Sequence, residues 1–256
     1  MSSFIALLSP AKLIDDQTHY PNLSCSEALF ADDAERLVRK LKKLSPTQLA
    51  ELMDMSQALA VETHARFQHW ETPFTHQNAH PAMLMFKGEV YRGLQAGELN
   101  PKELAFAQKH LRILSGLYGL MKPLDLVMPY RLMMGTPFEF DKKTPTLYAF
   151  WRQKITEALD KGMGKKDVII NLASQEYFKV IDAKALGRRI IDCEFKETKG
   201  KGFATVNTYS KLARGKMARF IIDKQIKKAD DIQSFDSDGY YLNKNLSGPD
   251  HFVFTR

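Results

Sequence analysis

The sequence predicts an α+β fold: one compact domain, residues 1–256, in which a mixed sheet is flanked by helices. Three observations predict it. Helical spacing with clear start signals fills most of the first 160 residues, short β-type runs fill much of the remainder, and the two types mix without strict alternation. No Pro/Gly/Ser-rich linker, low-complexity tract or long repeat divides the chain. With 256 residues, 44% of them apolar, the chain can bury a core that needs no disulfide or metal to hold it.

The elements follow in order. Residues 4–8 (FIALL) read as a buried strand that turns at Ser9-Pro10-Ala11-Lys12. Leu29, Phe30, Leu37, Val38, Leu41 and Leu44 then recur at helical spacing. Ser45-Pro46-Thr47-Gln48 opens a second helix with a Ser cap, Pro at the first position and Gln three residues past the cap; its inner face is Leu49, Leu52, Met53, Leu59 and Ala60. Asn100-Pro101-Lys102-Glu103 repeats the signal before Leu104, Ala107, Leu111 and Leu114. Leu114 through Gly119 then reads as a helix stop with two glycines, or as the hairpin of a helix-hairpin-helix-like element with one residue too many. Thr144-Pro145 starts a helix carrying Tyr148, Trp151, Ile155 and Leu159 on one stripe and ending at Gly162. Residues 167–172 form a strand running into Ser174, an N-cap. Residues 189–196 and 203–209 flank Lys199-Gly200-Lys201-Gly202 as a hairpin. Ser210 caps a helix to about Lys224, and residues 251–255 alternate as a closing strand.

Composition excludes several classes. Cys25 and Cys193 are the only cysteines, so neither a disulfide framework nor a zinc knuckle is available. The apolar run at residues 4–8 has no basic flank and is too short for a signal peptide, and no later run approaches a membrane span. The expectation is a cytoplasmic protein with no membrane partner. Charge is more informative. The chain carries +7, but residues 1–100 carry 9 basic and 12 acidic side chains, while residues 179–228 carry 14 basic and 5 acidic. Such a concentration points to a polyanionic partner or an anionic ligand, or to a solvated basic face.

Candidate chemistry lies in three places. In the helix after Ser210, Ala213, Met217 and Phe220 share one face, with Lys211, Arg214 and Gly215 opposite and Arg219 at the edge. Guanidinium groups suit phosphate, and Gly215 would let a backbone or a ligand come close. Ordinary solvated decoration of a helix has the same composition. The stretch from Asn171 to Lys179 leaves a strand and opens a helix, where exposed amides and Ser174 could hold an anion and Glu176 is the nearby acid/base candidate. Ser9 through Lys12 has the same character, with Lys12 as the cation. His64, His69, His76 and His80 lie close together without HExxH spacing or a neighbouring Cys, and read as surface or capping histidines; no stable metal and no cofactor is expected. Walker, GxGxxG and GxSxG motifs are absent, and no catalytic residue is assigned.

Several motifs together carry a resemblance: Ser9 through Lys12, Phe86-Lys87-Gly88-Glu89-Val90-Tyr91-Arg92-Gly93-Leu94, Leu114 through Met134, Asn171 through Lys179, and Ala213-Arg214-Gly215-Lys216-Met217-Ala218-Arg219-Phe220. In this order they resemble the YaaA family of bacterial peroxide-stress proteins, from residue 4 to the C-terminal strand. The resemblance implies a cytoplasmic protein that limits peroxide damage by lowering free intracellular iron. It also implies a basic cleft, a helix-hairpin-helix-like element and binding to duplex or structured DNA. Glu89 stands where the family often has Asp, Lys122 where it often has Arg, and Met133 where it often has Glu, which removes a carboxylate. Residue reading and resemblance together give the expected phosphate-binding set: Lys12, Lys87, Arg92, Arg131, Ser174, Lys179, Lys211, Arg214, Gly215 and Arg219. The ligands for direct iron binding are missing, so an effect on iron would be indirect. The alternative is an enzyme acting on a nucleotide or nucleic acid in the same basic pocket. The oligomeric state is left open.

Overall fold

The computed structural model describes residues 3–256. Five strands form its parallel centre, in the order His251–Thr255, Ile190–Lys199, Val168–Asn171, Phe4–Leu8 and Leu111–Ser115. Antiparallel strands close the two sides, Tyr241–Leu242 beside His251–Thr255 and Gly119–Met121 beside Leu111–Ser115. The far half of Ile190–Lys199 also pairs with Gly202–Ala204 across the turn at Gly200, the expected hairpin. The sheet is therefore mixed and flanked by helices, as the sequence predicts. Every residue of Phe4–Leu8 and Val168–Asn171 is buried, which requires cover on both faces and explains why these strands read as apolar runs without alternation.

The longer helices are Ala31–Leu41, Pro46–Met53, Gln57–His69, Pro101–His110, Leu147–Lys161 and Asn207–Asp223. Both capping boxes form. Ser45 Oγ accepts the Gln48 amide at 3.2 Å while Gln48 Oε1 accepts the Ser45 amide at 2.9 Å, and Asn100 and Glu103 repeat the exchange. Buried side chains from Phe4 to Phe254 join in one core. Among the described residues no helix is long and apolar enough to cross a membrane.

The structure corrects several boundaries. The helix opened at Ser45 stops at Met53, where Asp54 turns left-handed (φ 47°), and Ser56 caps a new helix containing Leu59 and Ala60. The helix opened at Asn100 ends at His110. Leu111 and Leu114 belong instead to a strand paired with Phe4–Leu8; burial at these positions suits a helical stripe or a strand equally, and pairing decides for the strand. Consequently Leu114 through Gly119 is neither a helix stop nor a helix-hairpin-helix-like element but the turn of a β-hairpin, Leu111–Ser115 to Gly119–Met121. Ser115 Oγ accepts the amides of Leu117 and Tyr118 there, at 3.1 and 2.9 Å. Thr146 rather than Thr144 caps Leu147–Lys161. The strand expected to Tyr209 ends at Ala204, because the last helix begins at Asn207; Ser210 is buried inside that helix rather than capping it.

Two contacts made through glycine decide how layers meet. Gly119 has φ 66°, and a Cβ there would lie 2.7 Å from the Trp151 ring, so the hairpin and Leu147–Lys161 can touch only through glycine. The short helix Glu89–Leu94 crosses Asn207–Asp223 through Gly93 and Gly215. A Cβ on Gly215 would sit 1.8 Å from the Val90 carbonyl oxygen, and one on Gly93 would sit 2.3 Å from that of Leu212. These helices meet backbone to backbone. Gly215→Ala should therefore cost at least about 3 kcal/mol in urea unfolding, since backbone rather than a flexible side chain must move. Gly97→Ala, with nothing within 4 Å of the new methyl, should stay within about 0.5 kcal/mol of the parent.

Candidate nucleic-acid interface

Parallel strands present their C-terminal ends on one edge of the sheet, the edge where ligands of open α/β sheets gather. Leu7 pairs with Asn171, so the segments leaving Phe4–Leu8 and Val168–Asn171 run side by side. Ser9 Oγ accepts the Ser174 amide at 2.9 Å and lies 3.3 Å from Ser174 Oγ. The buried Tyr91 hydroxyl donates to the Ser9 carbonyl at 3.0 Å. Asn171 Oδ1 accepts the Ala173 amide, and its Nδ2 donates to Asp192 at 2.7 Å. Ser174 thus occupies the N-cap position of Gln175–Phe178 without capping it: its side chain bonds to no amide of that helix, and its own amide is taken by Ser9. The expected anion cradle of helix amides reduces to one turn and a hydroxyl. Glu176 is held beside it, with Oε1 accepting the Gly135 amide at 3.0 Å.

Basic side chains surround this edge. Lys12 is exposed, and Arg131 Nη1 approaches the Lys12 carbonyl at 3.4 Å. The Arg131 guanidinium is held below its ordinary pKa by burial and by the neighbouring Arg66, with Glu62 opposing. Lys87 faces Leu13 across the two-residue pairing of Leu13–Ile14 with Phe86–Lys87, and its Nζ lies 3.3 Å from Asp15. Arg92, exposed and ion-paired to Glu89 at 2.6 Å, lines a cleft of about 500 Å³ together with Lys87 and Tyr91. Lys179 is exposed and lies 4.3 Å from the centre of the Tyr148 ring, whose hydroxyl donates to the Glu176 carbonyl.

The last helix is arranged differently from the expectation. Lys211 is exposed. Gly215 is buried against Val90, so the close approach it permits is to a backbone and no ligand reaches it. Arg219 is not a free cation: Nε bonds Asp223 at 2.7 Å, and Nη1 reaches Glu98 at 3.5 Å and the Gln95 carbonyl at 3.3 Å. Arg214 is half-buried with its Nε atom out of solvent and without a hydrogen-bond partner. Burial pushes its pKa down, while Cys193 and Glu194 work the other way. Burial likewise pushes the Cys193 thiol far up. The structure therefore brings Lys12, Lys87, Arg131 and Ser174 to one edge, with Arg92 on the helix Glu89–Leu94 and Lys179 just past the end of Gln175–Phe178. Arg66 and Asp192 escape sequence reading, and so do the partners of Tyr91 and Asn171, because only the folded register joins them to that edge.

His64, His69 and His80 make contacts within the protein. His64 lies 3.2 Å from Gln68, His69 bonds the Ala65 carbonyl, and His80 faces the Thr18 carbonyl and packs at a tilt against His19 with ring centres 5.0 Å apart. Among the described residues no group of three or more His, Cys, Asp or Glu side chains is placed to hold a metal ion.

Residues 4–246 match the family model described as peroxide stress protein YaaA. The chain belongs to that family. It is 44% identical over 254 residues to a UPF0246 protein of Saccharophagus degradans, covering 98% of this chain and 99% of that protein. It is 43% identical over the same length to a UPF0246 protein of Idiomarina loihiensis, covering 98% of each. The family match spans every part of the edge just described.

Asp15 gives a pH test of this edge. Amides of Gln17 and Thr18, the Thr18 hydroxyl and Lys87 hold its carboxyl well below the usual carboxylate range, at about 2. The folded value is depressed, so the contribution of this loop is complete above the unfolded pKa of about 4 and disappears as pH falls through 2. A carboxyl NMR titration should place the Asp15 midpoint near 2; a midpoint near 4 would mean that the loop contacts are not formed in solution.

Proposed function

We propose that this member of the peroxide stress protein family binds DNA through the basic edge formed by Lys12, Lys87 and Arg131, largely without regard to base sequence. The observation that carries the reading is the convergence of these three cations, from separate parts of the chain, on the C-terminal ends of the parallel strands. The 14 basic side chains of residues 179–228, Lys179 and Lys211 among them, add to the field, and Arg92 and Ser174 contribute donors nearby. Arg214 supplies positive charge from beneath the surface, and Arg219, tied to two carboxylates, supplies little.

Cavity size argues against the enzyme alternative at the contact of Lys12 with Arg131; the cleft of about 500 Å³ lined by Lys87, Tyr91 and Arg92 is where a small substrate would have to sit. The space between Lys12 and Arg131, walled by Tyr130, Met133 and Tyr177, measures about 10 Å³, room for a single water. A phosphate backbone lying along the surface needs no enclosure, whereas a bound small substrate does. An influence on intracellular iron would then be indirect, through protection of DNA or through changed expression.

Fluorescence anisotropy with a labelled duplex at several salt concentrations tests the reading. If about five phosphates are neutralised, log K should fall against log salt with a slope of about −4 to −5. The Lys12→Ala/Lys87→Ala/Arg131→Ala variant should lower that slope by about 2 to 3 and weaken binding at moderate salt by about 30-fold or more. The matched control is Lys43→Ala/Lys165→Ala/Lys166→Ala, which removes equal charge from exposed positions away from this edge. Lys42 is unsuitable as a control because its Nζ holds the Trp70 carbonyl at 2.9 Å. Equal losses in the two variants, or a flat salt titration, would overturn the assignment.

A further inference from the structure

The most spacious of the described cavities lies elsewhere. It measures about 640 Å³ and opens between the Phe4–Leu8 strand, the hairpin of residues 111–121 and the Leu147–Lys161 helix. It shares no lining residue with the basic edge or the cleft beside Arg92. Its volume is that of a small-molecule site. Its floor is apolar, with Ile5, Leu120, Met121 and Leu159, and Leu29 stands at the lining with 63% of its surface exposed, unusually high for a leucine beside a cavity.

The polar part of the lining is biased toward cations, and most of them are unpaired. Lys154 is ion-paired to Asp33, which also takes Arg36. Arg112, Lys122 and Lys161 have no ion-pair partner among the described residues, and the remaining acid is the exposed Glu157, which accepts from Gln153. Arg112 is the informative group. Its Nη1 donates to the carbonyls of Gln108, Lys109 and Leu111, at 3.1, 3.4 and 2.6 Å, which fixes the guanidinium in place. Its Nε and Nη2 have no hydrogen-bond partner among the described residues. Burial holds its pKa below the ordinary value, with Asp125 alone acting in opposition, so the charge is incompletely compensated. A fixed, half-buried guanidinium with free N–H groups beside an apolar floor suits one kind of molecule: an anionic head with a hydrocarbon or aromatic body.

We propose that this cavity binds a small amphiphilic organic anion, its apolar body on Ile5, Leu120 and Leu159 and its carboxylate, sulfonate or phosphate head on Arg112 between Lys122 and Lys161. The site is independent of the DNA reading, since none of its residues belongs to the basic edge.

Anilinonaphthalene sulfonate, an anion with an aromatic body that fluoresces when shielded from water, is the probe. The natively folded protein should bind one probe per chain. Decanoate should displace it, and decanol, the same tail without charge, should displace it about 10-fold less well or worse. Lys122→Glu/Lys161→Glu, which alters only exposed side chains, should weaken the probe and decanoate by about 10-fold or more and leave decanol nearly unchanged. Ala158→Trp, which projects a ring into the cavity from a half-exposed helix position, should abolish binding. Arg112→Gln should match the charge reversal if its thermal melt stays cooperative. Should it unfold, the other two variants still decide. No saturable binding, equal displacement by decanoate and decanol, or unchanged affinity in both Lys122→Glu/Lys161→Glu and Ala158→Trp would overturn the proposal. Because binding of the probe and binding of duplex are measured separately, the loss of one reading leaves the other standing.

Discussion

The position of Phe4–Leu8 between Leu111–Ser115 and Val168–Asn171 governs the rest of the molecule. Three parallel strands that are distant in sequence deliver three turns to the same edge: residues 9–12, 115–118 and 171–174. All five side chains of the central strand are buried, so inward and outward positions carry no contrast and alternation cannot set the register. Polar contacts at the strand ends do. The Ser3 amide donates to Asp167 at 2.7 Å, His110 faces the Phe4 carbonyl at 3.2 Å, and Ser9 takes the Ser174 amide at the other end. A slip by one residue would leave these buried or half-buried groups without partners.

A second network fixes the turn next to that edge. The Trp70 indole donates to the Tyr118 hydroxyl at 2.8 Å, which reaches the Met128 carbonyl at 3.2 Å, while Ser115 and Tyr130 share a 2.6 Å hydrogen bond. Trp151 donates to the Gly116 carbonyl at 2.9 Å from the other side. The hairpin of residues 111–121 is thus held from Trp70 at the end of Gln57–His69, from Leu147–Lys161 and from the segment leading to Arg131. This places Arg131 against Lys12 without a covalent or metal link.

Much of this was legible in the sequence where local chemistry is explicit. The Ser45 and Asn100 starts, the Trp151 stripe, the strand at Phe4, the hairpin about Gly200 and the closing strand at His251 all carry their own signals. Legibility failed where apolar residues serve either period. Leu111 and Leu114 continue a helical stripe and also fill a strand, and only pairing with Phe4–Leu8 separates the two. At the basic edge, Lys12 and Ser174 were visible as polar turns after strands. Lys87 and Arg131 came from the family resemblance rather than from a local pattern. Tyr91 stands in a motif of the resemblance, but its role had no local signal, since its hydrogen bond spans 82 residues. Arg219 misled for a related reason: its role depends on Glu98, far away in sequence, and a helix wheel shows only Asp223.

Burial of the two cysteines has a chemical consequence for a chain of a peroxide stress family. Hydrogen peroxide attacks the thiolate, and the neutral thiol hardly at all. Cys193 is wholly enclosed and its thiol is pushed far upward, with Asp192 adding to the effect of burial; Cys25 is half-buried and shifted in the same direction by burial and by Asp125. Both shifts lower the share of thiolate at neutral pH. Burial therefore slows, at both positions, the conversion of thiolate to sulfenic acid that begins thiol oxidation.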